Sequence, residues 1–227
     1  MKISIHLIFF FTFTIFLAAC STAPKISQTA VSDRDTKAWF AQYCSPGLHA
    51  MSGDLMIRSN TQEFKGQFPA SVRFEDTGAF VLEVTSIIGS TLMRLSSDGK
   101  SMEIIAPSKP KYSRKGITHY LGLDLPILTE LLAGDLPCPK EVKAGGIKSE
   151  GNRMVMVTPN WRWNFEKAEE SEGGVPVRIS LLPTTVADPK LKIELIIEDW
   201  DREKRFAKKV TVKSPEGELH WSWRKRN

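Results

Sequence analysis

"FVLEVTSIIGSTLMRLSSDG", residues 80–99, decides how this chain is built. Phe80, Leu82 and Val84 alternate with Val81 and Glu83, which is the period of a strand with one buried face. Alternation resumes after Gly89 in "TLMRLSS", and Asp98-Gly99 closes the run. Glycine or Asp-Gly between short alternating segments is hairpin chemistry, so the stretch predicts antiparallel neighbours. At its centre stand Ile87 and Ile88. If the strand ran on through them they would point to opposite faces, and the outward one would need a second packed layer, a partner or a membrane to cover it.

The same punctuation extends in both directions. "GDLMIRS" (53–59), "ASVRFED" (70–76) and "SMEIIAP" (101–107) belong to one meander, and strands resume in "RMVMVTP" (153–159), "NWRWNFEKA" (160–168), "VPVRISLLP" (175–183) and "LKIELIIEDW" (191–200). A last hairpin is expected in "KKVTVKSPEGELHWSW" (208–223) around Pro215-Glu216-Gly217. Two segments break the strand period. "DTKAWFAQYC" (35–44) spaces Ala38, Trp39, Ala41 and Tyr43 helically, with Asp35 as a cap. "LPILTELLAGDLPC" (125–138) sets Ile127, Leu128, Leu131 and Leu132 on one helical stripe, with Pro126 in the first turn and Gly134 at the stop. The pattern is mainly β within an α+β class: a long antiparallel sheet, curled and covered by helices around either a packed core or a pocket.

The chain begins with a processing signal. Lys2 supplies its positive charge, Ile3 to Leu17 an apolar run, and Leu17-Ala18-Ala19-Cys20 the small residues before a cysteine that mark a bacterial lipoprotein. An uncleaved anchor is the alternative reading, with a segment near the lower length limit for a spanning helix and carrying His6. The lipoprotein reading makes 1–19 a signal peptide, Cys20 the lipidated residue and 20–35 a flexible tether. Ser21 comes after the cysteine where an aspartate would favour retention at the inner membrane by the enterobacterial rule, so the expected location is the outer membrane, facing the periplasm.

Beyond the tether lies one domain's worth of chain. The formal net charge is +5, and Lys and Arg crowd the last stretch. That terminus suits anionic head groups or keeps an edge strand soluble, and the compartment excludes nucleic acid. Cys44 and Cys138 are the remaining cysteines. In an oxidising compartment they either pair, closing a loop worth on the order of 4 kcal/mol, or stay as buried thiols.

Signs of an enzyme are sparse. His49, His119 and His220 are scattered, and no G-x-S-x-G, H-E-x-x-H or phosphate-cradling loop occurs. Glu198, Asp199, Asp201 and Glu203 cluster in "EDWDRE", beside lysines and arginines that suit a solvated strand end better than acid–base work. Neither a metal nor a cofactor is implied. Trp161, Trp163 and Phe165 share one strand face, and Trp221 and Trp223 share another. Such rings either fill a core or wall a greasy cavity.

In this order the blocks "FVLEVTSIIGSTLMRLSSDG", "YLGLDLPILTELLAGDLPCP" and "GGVPVRISLLPTTVADPKLKIELIIEDW" resemble the LolB family of outer-membrane lipoprotein receptors. The resemblance implies an unclosed, curled antiparallel β-barrel with a helical lid, LolA/LolB-like, over residues 36–200. It implies a monomeric receptor, not an enzyme, that takes acylated lipoprotein cargo from a LolA-like periplasmic carrier and inserts it into outer-membrane lipid. The acyl-chain cavity and lid would be formed by Leu82, Val84, Ile104, Leu128, Leu131, Leu132, Trp161, Trp163 and Phe165. The membrane-insertion loop would be Ile87, Ile88 and Gly89, with Ile88 at the family's tip leucine and Ile87 at its proline. A binding or sensor lipoprotein on the same scaffold, without insertion, is the alternative. The family pattern ends near Trp200, whereas this chain continues for 27 residues. The extension 201–227, read as an extra hairpin, either completes the sheet, covers the cavity or meets another partner.

Overall fold

A computed structural model describes residues 43–44, 49–139, 141, 147–150, 153–167, 176–185 and 188–227. The signal 1–19, Cys20, the tether 20–35 and most of the expected N-terminal helix (Ala38, Trp39, Ala41) lie outside the described residues.

Six strands come first: β1 (Met51–Thr61), β2 (Lys65–Phe74), β3 (Phe80–Thr85), β4 (Thr91–Ser97), β5 (Met102–Ile105) and β6 (Arg114–Ile117). A two-stranded ribbon, β7 (His119–Tyr120) and β8 (Leu123–Asp124), leads into the helix α1 (Leu125–Ala133). Seven more strands complete the chain: β9 (Ile147–Glu150), β10 (Arg153–Val157), β11 (Trp161–Lys167), β12 (Pro176–Pro183), β13 (Ile193–Asp201), β14 (Phe206–Ser214) and β15 (Gly217–Arg226).

All but β7 and β8 form one 13-stranded sheet in the order β6-β5-β4-β3-β2-β1-β15-β14-β13-β12-β11-β10-β9. Every junction is an antiparallel hairpin neighbour except one, where β15 returns to pair with β1. The hairpin of the extension therefore stands at the middle of the sheet and completes it. The boundary expected at 200/201 falls inside β13, and the fold shows no seam there. The edge strands β6 and β9 do not pair with each other, so the sheet curls without closing.

Alternation decides which face is buried. Leu55 and Ile57 of β1, Leu82 and Val84 of β3, and Leu195 and Ile197 of β13 point into one core, while Arg58 faces solvent. α1 packs its apolar stripe into that core, with Leu128, Leu131 and Leu132 fully buried. Each such side chain contributes about 1.5–3 kcal/mol by leaving water. Pro126 lies in the first turn of α1, and Gly134 caps its end at φ 83, a conformation that favours glycine.

Register also defines the two ends of the sheet. At the upper end lie the turns joining β1 to β2, β3 to β4 and β14 to β15, with the loops 106–113 and 184–192. At the lower end lie the β2–β3, β4–β5 and β13–β14 turns and the chain terminus. α1 runs between them: Asp124, before its first turn, accepts from Trp161 Nε1 at 2.9 Å, and the Gly134 carbonyl accepts from Ala207 N at 2.7 Å. Cys44 bonds Cys138 and bridges Leu136, so the N-terminal segment is fastened at the lower end.

Candidate functional site

The β3–β4 turn settles where the two isoleucines go. β3 stops at Thr85, and Gly89 N donates to Ser86 O at 2.9 Å, which closes a tight turn over Ile87 and Ile88. Gly89 sits at φ 85 with nothing within 4 Å of where a Cβ would be, so backbone conformation and not space selects glycine there. Ser86 and Ser90 brace the base through a 2.7 Å hydroxyl pair and a 2.8 Å backbone bond. The strand does not continue through the isoleucines, and neither joins a face of the sheet. They are 93% and 90% exposed. Water meets both side chains, and no described residue covers them.

Beside this turn a cavity of about 170 Å³ opens among the β1–β2 turn, the start of β4, the end of β5 and the loop after it. Phe64, Phe68, Leu92, Met93, Ile104 and Tyr112 form its apolar wall. Phe64 and Phe68 are in contact at 4.3 Å between ring centroids. Glu63 organises the polar side: it pairs with Arg114 and accepts from the Tyr120 hydroxyl at 3.3 Å. Burial, reinforced by the Glu63 carboxylate, pushes the Tyr120 phenol well up, so it stays a neutral donor. Lys109 Nζ donates to the Glu63 carbonyl at 3.4 Å, joining the two sides of the mouth.

Of the residues assigned to an acyl cavity, Ile104 lines this space. Leu82, Val84, Leu128, Leu131, Leu132, Trp163 and Phe165 are buried in the common core, where Trp163 stacks on Phe165 at 5.9 Å. Trp161 packs partly buried at the edge of that core and ties α1 through Asp124. Trp221 is fully buried as well, so these rings fill the interior and do not wall an open channel. Sequence reasoning missed Phe64, Phe68, Tyr112 and Tyr120. Their residue types were the available signal: four aromatics near turns, where a solvated loop gains nothing from large rings.

The acidic cluster is structural. Asp199 and Asp201 pair with Lys209 and Lys208 across β13 and β14, and Glu198 accepts from the Thr211 hydroxyl at 2.5 Å, with His220 beside it at 3.4 Å. Among the described residues no group of His, Cys, Asp and Glu is arranged to hold a metal ion, and no helix is long and apolar enough to cross a membrane.

The family model of the outer membrane lipoprotein LolB matches residues 49–200. No curated protein matches the chain in sequence. Among solved structures, a LolA superfamily protein from Nitrosomonas europaea superposes with a TM-score of 0.50 at 8% identity, over 87% of this chain and 94% of that one. A DUF1329 family protein from Desulfovibrio piger gives 0.46 at 10% identity over 79% and 85%, and the lipoprotein LppX of Mycobacterium tuberculosis 0.31 at 12% over 86% and 97%. The first of these likenesses is one of fold alone, and the other two carry no further weight.

Proposed function

Because this chain belongs to the family of the outer membrane lipoprotein LolB, whose model covers 49–200, we propose that it is a lipid-anchored receptor that accepts acylated lipoproteins and inserts them into the outer membrane. A general role in lipoprotein localisation comes with the family. The finer reading rests on one observation: two adjacent isoleucines at the apex of a braced turn, 93% and 90% exposed. A soluble protein gains nothing from that arrangement, whereas fully burying both in lipid contributes about 3–6 kcal/mol. That is enough for transient contact and too little for permanent attachment, a task that falls to Cys20.

Cargo brings acyl chains, each methylene of which gains roughly 0.8 kcal/mol on leaving water. The interior is filled by α1, so cargo enters by displacing the helix as a lid. Its apolar stripe then gives way to acyl methylenes of like character, and the exchange needs no chemical energy. A soluble LolA-like carrier delivers the chains at the periplasmic face. Transfer runs downhill when this protein holds them more tightly than the carrier does, and the bilayer more tightly than both.

Ile88→Glu tests the reading. In a reconstituted transfer assay the variant should take up acylated cargo normally and release little into vesicles, with thermal stability unchanged because the side chain is exposed. Insertion at the wild-type rate would refute it.

A further inference from the structure

The upper end of the sheet carries more than the isoleucine turn. Four large apolar side chains are exposed among the described residues: Ile87, Ile88, Ile105 and Leu191, the last at 40%. All four fall at this end, Ile105 as the last residue of β5 and Leu191 in the short 3-10 turn Pro189–Leu191 before β13. Lysines flank them. Lys65, Lys109, Lys111 and Lys190 are exposed at the same end, and none has a carboxylate partner among the described residues. Lys192 pairs with Glu194 at 2.6 Å, Glu63 is engaged by Arg114, and Asp188 is turned onto the backbone N–H of Lys190 at 2.9 Å, leaving Glu216 and Glu218 as the exposed carboxylates of the neighbouring β14–β15 hairpin.

We propose that this end docks on an anionic phospholipid bilayer at two apolar points, the Ile87–Ile88 turn and Leu191, with Lys65, Lys109, Lys111 and Lys190 supplying the attraction to phosphate-bearing head groups. The inference rests on the membrane-contact reading above and adds to it a second contact and a lipid preference. Two points with four strands, β2, β1, β15 and β14, between them in the sheet fix an orientation that a single turn leaves free to rock. The uncompensated lysines select the surface, because a basic side chain at an anionic membrane is worth about a fivefold gain in partitioning and loses it as salt rises.

Vesicle co-sedimentation of the chain from Ser21 onward, which keeps every described element, tests this with phosphatidylcholine alone and phosphatidylcholine containing phosphatidylglycerol. Wild type should bind the anionic vesicles on the order of a hundredfold better, a preference lost in Lys65→Gln/Lys109→Gln/Lys111→Gln/Lys190→Gln and in high salt. Leu191→Glu should weaken binding to both compositions several-fold. Equal binding to the two compositions, or a Leu191→Glu variant that binds as wild type, overturns the proposal. Ile88→Glu separates the levels: if it abolishes binding while the lysine and Leu191 variants are silent, this inference fails alone. If it too is silent, the membrane-contact reading falls with it.

Discussion

Thr61 lies opposite Gly217, and that register position joins the first half of the sheet to the second. The approach is close: a Cβ on Gly217 would sit 2.6 Å from the Asn60 carbonyl oxygen. β15 is hydrogen-bonded to β1 on one side and β14 on the other, so the last strand of the chain holds the middle of the fold.

Truncation after Trp200 should therefore abolish folding. β1 would lose β15 and β13 would lose β14, which splits the sheet into two halves, and Val210, Val212 and Trp221 would leave the core. Far-ultraviolet circular dichroism should show the loss of sheet, and a folded, soluble 1–200 product would contradict the topology.

Untying α1, the lid of the proposed function, gives a functional counterpart. Trp161→Phe keeps an aromatic ring packed at the edge of the core and removes the 2.9 Å bond to Asp124 at the start of α1. About 1 kcal/mol should be lost. Amide exchange across Leu125–Ala133 should quicken about fivefold while β1 and β15 stay protected, and uptake of a fluorescent fatty acid should accelerate.

The disulfide closes a loop of 94 residues. Cys44→Ser/Cys138→Ser should lower the unfolding free energy by roughly 2–5 kcal/mol, the range for native disulfides. Denaturation with and without reductant should show wild type falling to the level of the variant, which itself ignores the reductant.

Acid should act in an unusual sense on one carboxyl. Burial raises Asp135 to about 6, although Arg226 3.9 Å away pulls against the shift. The folded state then holds that proton more tightly than the unfolded one, so this group lowers stability as pH rises from about 4 to about 6, by on the order of 3 kcal/mol in full. Asp98, Asp201 and Glu194 are held below the usual range, the first two by backbone N–H donors and Glu194 by Lys192, and weaken the fold only on further acidification. Asp135→Asn should flatten the pH dependence of the melting temperature between 4 and 6 relative to wild type.

Local structure was legible in the sequence because it is written in periods and turn residues. Leu55 and Ile57 alternate inward as their spacing requires, Gly89 and Gly99 mark turns, and α1 lies between Pro126 and Gly134 as its signals predict. Partner choice was not legible. A two-residue period tells β14 and β15 which face to bury and says nothing about which strand to lie beside, so their insertion between β13 and β1 had no sequence signature. At the candidate site, the isoleucine turn could be read from Gly89, whereas the cavity draws Phe64, Tyr112 and Tyr120 from three separate segments whose meeting depends on the curl of the sheet.

Fastening Cys44 at the lower end, away from Ile88, sets a leash problem. β15 has 10 residues, so the sheet stands roughly 34 Å tall. About 24 residues separate Cys20 from Cys44, and a chain of that length reaches at most about 80 Å. If Cys20 carries the lipid as proposed, an upright domain moored by its foot brings its head to the same leaflet only when that link spans the height of the sheet, so shortening the link to about 8 residues, at most about 29 Å, should leave the apex short of the bilayer.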